Sequence, residues 1–212
     1  MSQEVSHRNQ HLRAALSEHE LPSDPLILFG AWLSDAEREG ALEHNAMALS
    51  TIGTTGPRSR MVLLRSFSDK GFVFYTNYNS RKAGELDADP RAALLFFWPL
   101  LERQVRAEGS MTRVDASESD TYFRTRPRGS QIGAWASDQS ERIADRMSLD
   151  ERYARWEKRF EGADIPRPAH WGGMCVSVLK LEFWQGRGDR MHDRIAYTRG
   201  EGAAWMRERL QP

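Results

Sequence analysis

Nothing in this sequence constrains its fold more than the way apolar residues are cut into short runs between positions 46 and 114. Residues 46–52, 59–67, 72–76, 92–98 and 103–114 each have the length and texture of a strand. Turn-forming stretches separate the first three: 53–57, and the tetrapeptide Ser68-Asp69-Lys70-Gly71. Short runs parted by glycine-bearing turns cannot be read as long helices, and they point to an antiparallel meander or barrel. The spacing also predicts strands over 176–184, 195–198 and 204–209.

Helical signals are interspersed. Asp24-Pro25 is a helix start, with Asp24 as N-cap and Pro25 at the first helical position, and Phe29, Trp32, Leu33 and Ala36 follow at helical spacing. Gly40 is a natural stop. Ser80 caps a short helix over 80–86 that halts near Asp89-Pro90, and further helices are expected over 117–125, 132–136 and 148–160. Strands interspersed with short helices give an α+β domain around a small barrel. The chain has 212 residues, which suits one domain over 21–212, preceded by a polar segment over 1–20 expected to be mobile.

Composition narrows the function. Lysine plus arginine number 30 and aspartate plus glutamate number 30, so no basic excess marks a nucleic-acid binder. No run approaches the roughly 20 apolar residues of a membrane span, and the polar N-terminus lacks a signal-peptide core. Cys175 is the one cysteine, read as a buried inert thiol in a reducing compartment, so the expectation is a cytoplasmic protein. His11, His19 and His44 have no metal-ligand spacing, and no metal is expected. There is no Walker-type loop, no Gly-x-Ser-x-Gly elbow and no dinucleotide fingerprint.

Three clusters of cationic and polar residues remain. Arg60 and Arg65 bracket Met61-Val62-Leu63-Leu64, and Arg81-Lys82 open the helix after Ser80. A helix N-terminus flanked by cations suits a phosphate, although a solvated Arg-Lys pair gives the same pattern. Tyr122, Arg126, Arg128, Ser130 and Gln131 form the second cluster, readable as an anion grip or as a surface loop with a helix-capping serine. In the third, Arg190, His192 and Arg194 share one face if the segment after Asp189 is extended, and they would line an anionic pocket.

These clusters and the stretches around them resemble the pyridoxine/pyridoxamine 5'-phosphate oxidase family. The likeness runs from about residue 21 to 212. It is carried by Arg60-Met61-Val62-Leu63-Leu64-Arg65, Phe74-Tyr75-Thr76-Asn77, Ser80-Arg81-Lys82 and Leu101-Glu102-Arg103-Gln104-Val105. It continues through Arg126-Pro127-Arg128-Gly129-Ser130-Gln131-Ile132-Gly133-Ala134-Trp135, Trp171-Gly172-Gly173, Glu182-Phe183-Trp184-Gln185-Gly186 and Arg190-Met191-His192-Asp193-Arg194. The resemblance implies an FMN-binding split β-barrel, antiparallel and Greek-key-like, assembled as a homodimer. It implies that FMN's phosphate end is held by Arg60, Arg81, Lys82, Gln139 and Ser140. The rest of the flavin would lie against Met61–Arg65, Tyr75, Thr76, Gln104, Trp184 and Arg194. Arg65, Tyr122, Arg126 and Ser130 would grip a substrate phosphate, with Arg190, Met191 and His192 at the substrate ring and Arg190 and His192 as catalytic residues. The implied reaction is oxidation of a phosphorylated B6 vitamer by O2 to pyridoxal 5'-phosphate.

Two departures concern substrate contacts. Arg65 stands where many members carry lysine, and in the N-terminal stretch Leu12-Arg13-Ala14-Ala15-Leu16 only Arg13 remains where some members carry a paired arginine and a tyrosine that cover the substrate. Two other functions compete: a split-barrel flavin oxidase of the phenazine-biosynthesis type, and a non-catalytic protein that binds FMN or pyridoxal phosphate. Tyr122, Arg126 and Ser130 together favour a phosphorylated substrate over the first, and Arg190 with His192 favours an enzyme over the second.

Overall fold

The computed structural model describes residues 15–200 and 204–212, so Arg13 and His11 lie outside the described residues. Five helices are described: α1 (Pro25–Arg38), α2 (Arg81–Ala88), α3 (Ala116–Thr125), α4 (Arg128–Ala136) and α5 (Arg146–Arg159). The strands are β1 (Ala46–Gly53), β2 (Gly56–Leu63), β3 (Ser66–Ser68), β4 (Gly71–Asn77), β5 (Arg91–Trp98), β6 (Arg103–Arg113), β7 (Trp171–Gln185), β8 (Asp193–Arg199) and β9 (Trp205–Leu210). They form one sheet in the order β2-β1-β5-β6-β7-β4-β3, with β8 on β7 and β9 on β8. β7 can serve both β4 and β8 because it is 15 residues long. Its first part pairs antiparallel with β4 from Asn77↔Trp171 to Phe72↔Val176, and its last part with β8 from Gln185↔Asp193 to Lys180↔Thr198. Neighbours distant in sequence, such as β1 with β5 and β4 with β7, make the Greek-key-like crossings expected of a split barrel.

The chain falls into two compact units, each drawn from separate stretches of sequence. One comprises residues up to Ala48, Leu94–Glu108 and Leu179–Pro212. In it α1 begins as the sequence predicts, with the Asp24 carboxylate accepting from the Leu26 amide at 2.9 Å. Its apolar face inserts Phe29 against Phe96 (5.0 Å between ring centroids) and Trp32 against Phe183 (5.3 Å). Burying rings of this size is the largest local contribution to stability, roughly 3–5 kcal/mol lost for each truncated to alanine. Arg103 stacks on Trp32 and pairs with Asp35 at 2.7 Å, closing the polar edge of that core. Part of the N-terminal stretch is tied down here, since Asp193 accepts from the Leu16 amide at 3.1 Å and Arg209 donates to Glu18.

The other unit comprises Leu49–Ala93 and Gly109–Val178. Phe72, Phe74, Met174 and Val176, from the paired parts of β4 and β7, are fully buried in it. Phe123, Ile132, Ile165 and Trp171 make a second apolar cluster under α3, α4 and α5. The backbones of β6 and β7 come so close at Gly109 that a Cβ there would lie 2.1 Å from the Ser177 carbonyl.

Four expectations are corrected. The strand expected over 59–67 is two strands, because the chain breaks at Leu64-Arg65 and the Arg65 amide turns to the Val73 carbonyl (2.8 Å). The helical turn expected over 132–136 begins at Arg128, with Pro127 as N-cap, so Arg128, Ser130 and Gln131 are helical and not loop. β7 starts at Trp171, five residues before the expected strand. Gly172 and Gly173 concealed that start; they are strand glycines, and Tyr78 fills the space a Cβ on Gly172 would need. The segment after Asp189 is not extended: Gly188–Arg190 is a 3-10 turn with positive φ at Asp189 (55°) and Arg190 (61°). Arg190, His192 and Arg194 therefore do not share a strand face.

Candidate active site

The first cluster forms where β2, β4 and α2 meet. β2 alternates exposed and half-buried residues, which places Arg58 and Arg60 on one face. Both reach the carboxylate of Glu85 on the buried side of α2: Arg58 Nη1 to Oε1 at 2.9 Å, Arg60 Nη2 to Oε2 at 2.8 Å. Thr51 Oγ1 donates to the same carboxylate at 2.6 Å and accepts from Arg60 at 2.5 Å. Burial pushes the Glu85 carboxyl up, but hydrogen bonds from Thr51, Arg60 and Arg58 outweigh it and hold the group below the ordinary carboxylate value. Lys82 Nζ donates to Thr76 Oγ1 (2.9 Å), Ser80 Oγ (3.3 Å) and Gln139 Oε1, and the Arg81 amide donates to Ser140 Oγ at 3.2 Å. Ser80 occupies the N-cap position, but its hydroxyl donates to the Asn77 carbonyl (2.6 Å) and accepts no amide of the helix. Burial lowers Lys82 to about 8, and the charge of Arg60 adds to the fall.

Arg58, Ser59, Arg60, Arg81, Lys82 and Ser140 line a cleft of about 560 Å³. Four cations against one carboxylate leave this cleft in excess of positive charge, and the burial that disfavours the charge of Lys82 is offset by an incoming anion. The donor set suits a phosphate monoester: three guanidiniums, an ammonium, a serine hydroxyl and a helix start. Sequence reasoning found Arg60, Arg81, Lys82, Thr76, Gln139 and Ser140, which the structure brings together. It missed Arg58, whose signal was the period-two relation to Arg60, and Glu85, whose signal was a carboxylate between the buried Ala83 and Leu86 of α2.

The second cluster is built on aromatic rings. Tyr75 of β4 stacks on Tyr122 of α3 (4.0 Å, 23°) and on Trp171 of β7 (5.3 Å, 14°). The Arg126 guanidinium lies 4.4 Å from the Trp171 ring centroid and 5.6 Å from that of Phe123, and Arg65 lies 5.9 Å from Tyr122. Arg126 Nη1 is buried and has no hydrogen-bond partner. Burial depresses the Arg126 pKa, with Arg65 adding to the effect, so the cation is held without a counter-charge. Burial also raises Tyr75 to about 12, keeping its hydroxyl protonated. Ser130 stands exposed in the first turn of α4. Arg128 and Gln131 leave the anion-grip reading: Arg128 donates to the Ala163 carbonyl (3.0 Å) and that of Phe160, and Gln131 to the carbonyls of Phe123 (3.0 Å) and Arg126 (3.1 Å). Adjacent residues of β4, Tyr75 and Thr76, thus serve two different clusters.

The third cluster belongs to the unit containing β8. The Trp184 and His192 rings are 4.7 Å apart, and the Arg187 amide donates to His192 Nδ1 at 3.1 Å, which places the proton of a neutral imidazole on Nε2. Arg194 pairs with the buried Glu182 at 2.9 Å and donates to the Gln211 carbonyl. Arg190 and Met191 are exposed on the turn, and Gln104 is half-buried in β6. Met61 is exposed, Val62 and Leu63 half-buried and Leu64 buried along β2 and its end. Among the described residues no group of histidine, cysteine and carboxylate side chains could hold a metal, and no helix is long and apolar enough to cross a membrane. Cys175 is half-buried and not buried as expected, and that partial burial raises its thiol.

An antiparallel sheet with Greek-key-like crossings, carrying two cation clusters suited to phosphate, defines a split-barrel protein that handles phosphorylated small molecules. Comparison with solved structures agrees on the fold. The chain superposes on PhzG of Burkholderia lata, solved in complex with tetrahydrophenazine-1-carboxylic acid, with TM-score 0.86 at 31% identity over 93% of this chain and 98% of that one. A pyridoxamine 5'-phosphate oxidase-related, FMN binding protein from Nostoc punctiforme gives TM-score 0.71 at 17% identity, over 91% of this chain and all of that one. The family model described as pyridoxamine 5'-phosphate oxidase matches residues 33–160, and the one described as the pyridoxine 5'-phosphate oxidase C-terminal dimerisation region matches 171–212. The chain is 53% identical to the pyridoxine/pyridoxamine 5'-phosphate oxidase of Rubrobacter xylanophilus, over 97% of this chain and 94% of that one. It is 48% identical to the one of Synechocystis, over 97% and 96%. The chain belongs to the pyridoxamine 5'-phosphate oxidase family.

Proposed function

We propose that the protein is an FMN-dependent oxidase, acting as a homodimer, that converts pyridoxine or pyridoxamine 5'-phosphate to pyridoxal 5'-phosphate. The observation that carries this reading is Arg126, a half-buried guanidinium fixed on ring faces with one buried nitrogen unpartnered. A buried donor of this kind costs stability unless a ligand completes it, and a substrate phosphate does so. The cleft between Arg60 and Lys82 supplies a separate receptor for the phosphate of FMN, and Thr76, Gln139, Ser140 and Arg81 complete it. Arg65, Tyr122 and Ser130 join Arg126 around the substrate phosphate. Trp184, Arg194, Gln104, Tyr75 and Met61–Arg65 surround the flavin, and Arg190, Met191 and His192 meet the substrate ring, with Arg190 and His192 orienting it and stabilising charge.

The chemistry FMN supplies when bound is acceptance of a hydride from the 4' carbon and delivery of the electron pair to O2, giving H2O2. The residues of the chain hold both reactants in register, which removes much of the entropic barrier. The Arg187 amide on His192 Nδ1 fixes the ring of His192, which orients the substrate. With the amine substrate the imine product is hydrolysed, releasing ammonia. Identity near 50% over almost the whole chain to oxidases named for pyridoxine and pyridoxamine phosphate favours this substrate over a phenazine precursor. The test is turnover of pyridoxine 5'-phosphate beside unphosphorylated pyridoxine. The reading predicts that the phosphate ester is oxidised with kcat/KM at least about a hundredfold higher, the worth of one or two charge-assisted hydrogen bonds. Equal turnover of the two would refute it.

A further inference from the structure

Glu85 is a carboxylate that pairs with two of the arginines lining the cleft, Arg58 and Arg60, and it is buried, with 7% of its side chain exposed. A phosphate receptor gains nothing in charge from an anion beside it, so the position needs a reason. Its geometry supplies one. The two carboxylate oxygens divide their partners, Oε1 taking Arg58 and Oε2 taking Arg60 and Thr51. Thr51 in turn accepts from Arg60 Nη1, so Arg60 is held at both terminal nitrogens. An arginine has five N–H donors, and these contacts leave others on both side chains for the cleft they line.

Long cationic side chains lose rotamer freedom when they bind an anion, and a receptor whose arginines are already fixed is spared that loss. We propose that Glu85 is a positioning residue: from the buried face of α2 it fixes Arg58 and Arg60 as a preorganised pair of phosphate donors, and Arg58 joins the anion contacts. This deepens the FMN reading given above and rests on it. A carboxylate that merely fills a buried corner has no such consequence. One that acts only by its charge has the opposite consequence, since removing it makes the cleft more positive and tightens anion binding.

The sign of the effect therefore decides. Apoprotein is titrated with FMN and, separately, with riboflavin, which lacks the phosphate, following quenching of flavin fluorescence. Positioning predicts that Glu85→Gln weakens FMN binding about tenfold to thirtyfold while riboflavin changes by less than about twofold, because the loss lies in the ordering of two long side chains. Glu85→Asp, which keeps the charge but withdraws it by one methylene, weakens FMN in the same direction. Thr51→Val, which keeps shape and removes the bridging hydroxyl, gives a smaller loss of about threefold, again confined to FMN, and serves if the Glu85 variants do not fold. Tighter FMN binding by Glu85→Gln, or an equal loss for FMN and riboflavin, overturns the proposal. If the unaltered protein itself fails to prefer FMN over riboflavin, it is the FMN reading that falls, and the proposal with it.

Discussion

Arg126→Met separates what the second cluster does for folding from what it does for binding. In the folded protein Arg126 lies against the adjoining rings of Trp171 and Phe123, with no carboxylate partner among the described residues and a buried Nη1 without a hydrogen-bond partner. Replacing it forfeits two cation–π contacts of about 0.5–2 kcal/mol each. Methionine recovers part of that through sulfur–aromatic contact of about 0.3–1.5 kcal/mol. Removal of an uncompensated buried charge recovers more, since such a group costs stability unless paired. The terms nearly cancel, and stability should stay within about 1 kcal/mol of the unaltered protein. Binding has no such cancellation. A substrate phosphate loses one or two charge-assisted hydrogen bonds worth about 1.5–3 kcal/mol each, so kcat/KM for pyridoxine 5'-phosphate should fall about 10- to 100-fold or more. The loss should appear mainly in KM, because the phosphate is bound equally in ground and transition states. Urea unfolding measures the first quantity and steady-state kinetics with the phosphorylated and unphosphorylated vitamers the second. Instability of several kcal/mol, or an equal kinetic loss for the two vitamers, would refute the assignment of Arg126 as a phosphate receptor.

Three other outcomes follow from the geometry. Burial lowers Lys82 to about 8 and a bound phosphate raises it again, so the FMN dissociation constant should be nearly flat between about pH 7 and 8, above the second phosphate ionisation at about 6, and weaken up to about tenfold per pH unit above pH 8; fluorescence titration at pH 7 and pH 9 checks this, and a flat profile contradicts it. Arg128→Ala removes two bonds to carbonyls beyond α5 and should cost about 1–2 kcal/mol in denaturant unfolding with KM unchanged, whereas a raised KM would return Arg128 to the anion grip. Gly109→Ala puts a methyl 2.1 Å from the Ser177 carbonyl and should destabilise by about 3 kcal/mol or more, seen as a large fall in melting temperature; a melting temperature near that of the unaltered protein would mean that β6 and β7 can part without cost.

The sequence carried the parts of this fold that depend on neighbours in the chain. Asp24-Pro25 announces α1 because cap and ring act within one turn; the runs of β1 and β4 announce themselves because a glycine turn adjoins each, and that of β5 because Pro90 and Pro99 bound it. Arg60, Arg81, Lys82, Thr76, Gln139 and Ser140 emerged from the family likeness, and the structure gathers them in one place. What stayed hidden depends on distant partners. Glu85 looks like any helical carboxylate until Thr51, Arg58 and Arg60 close on it. Trp171 lies ahead of the strand expected from residue 176, before a glycine pair, and its place in β7 beneath Arg126 needs the register with β4. The Arg190 turn failed for a local reason. Two non-glycine residues adopt positive φ there, a conformation that side chains disfavour by roughly 1–2 kcal/mol and that no propensity rule anticipates. Strain of that kind recurs where a loop must present side chains to a ligand, in keeping with the role proposed for Arg190 and His192.

The most direct test of the proposed function is a balance sheet of products. Protein loaded with FMN is given pyridoxine 5'-phosphate in air, and pyridoxal 5'-phosphate, oxygen uptake and H2O2 are followed together over many turnovers. The account predicts one aldehyde formed and one peroxide released for each oxygen consumed. A yellow protein that holds FMN yet forms no aldehyde from either phosphorylated vitamer would contradict it, whatever the second cluster binds.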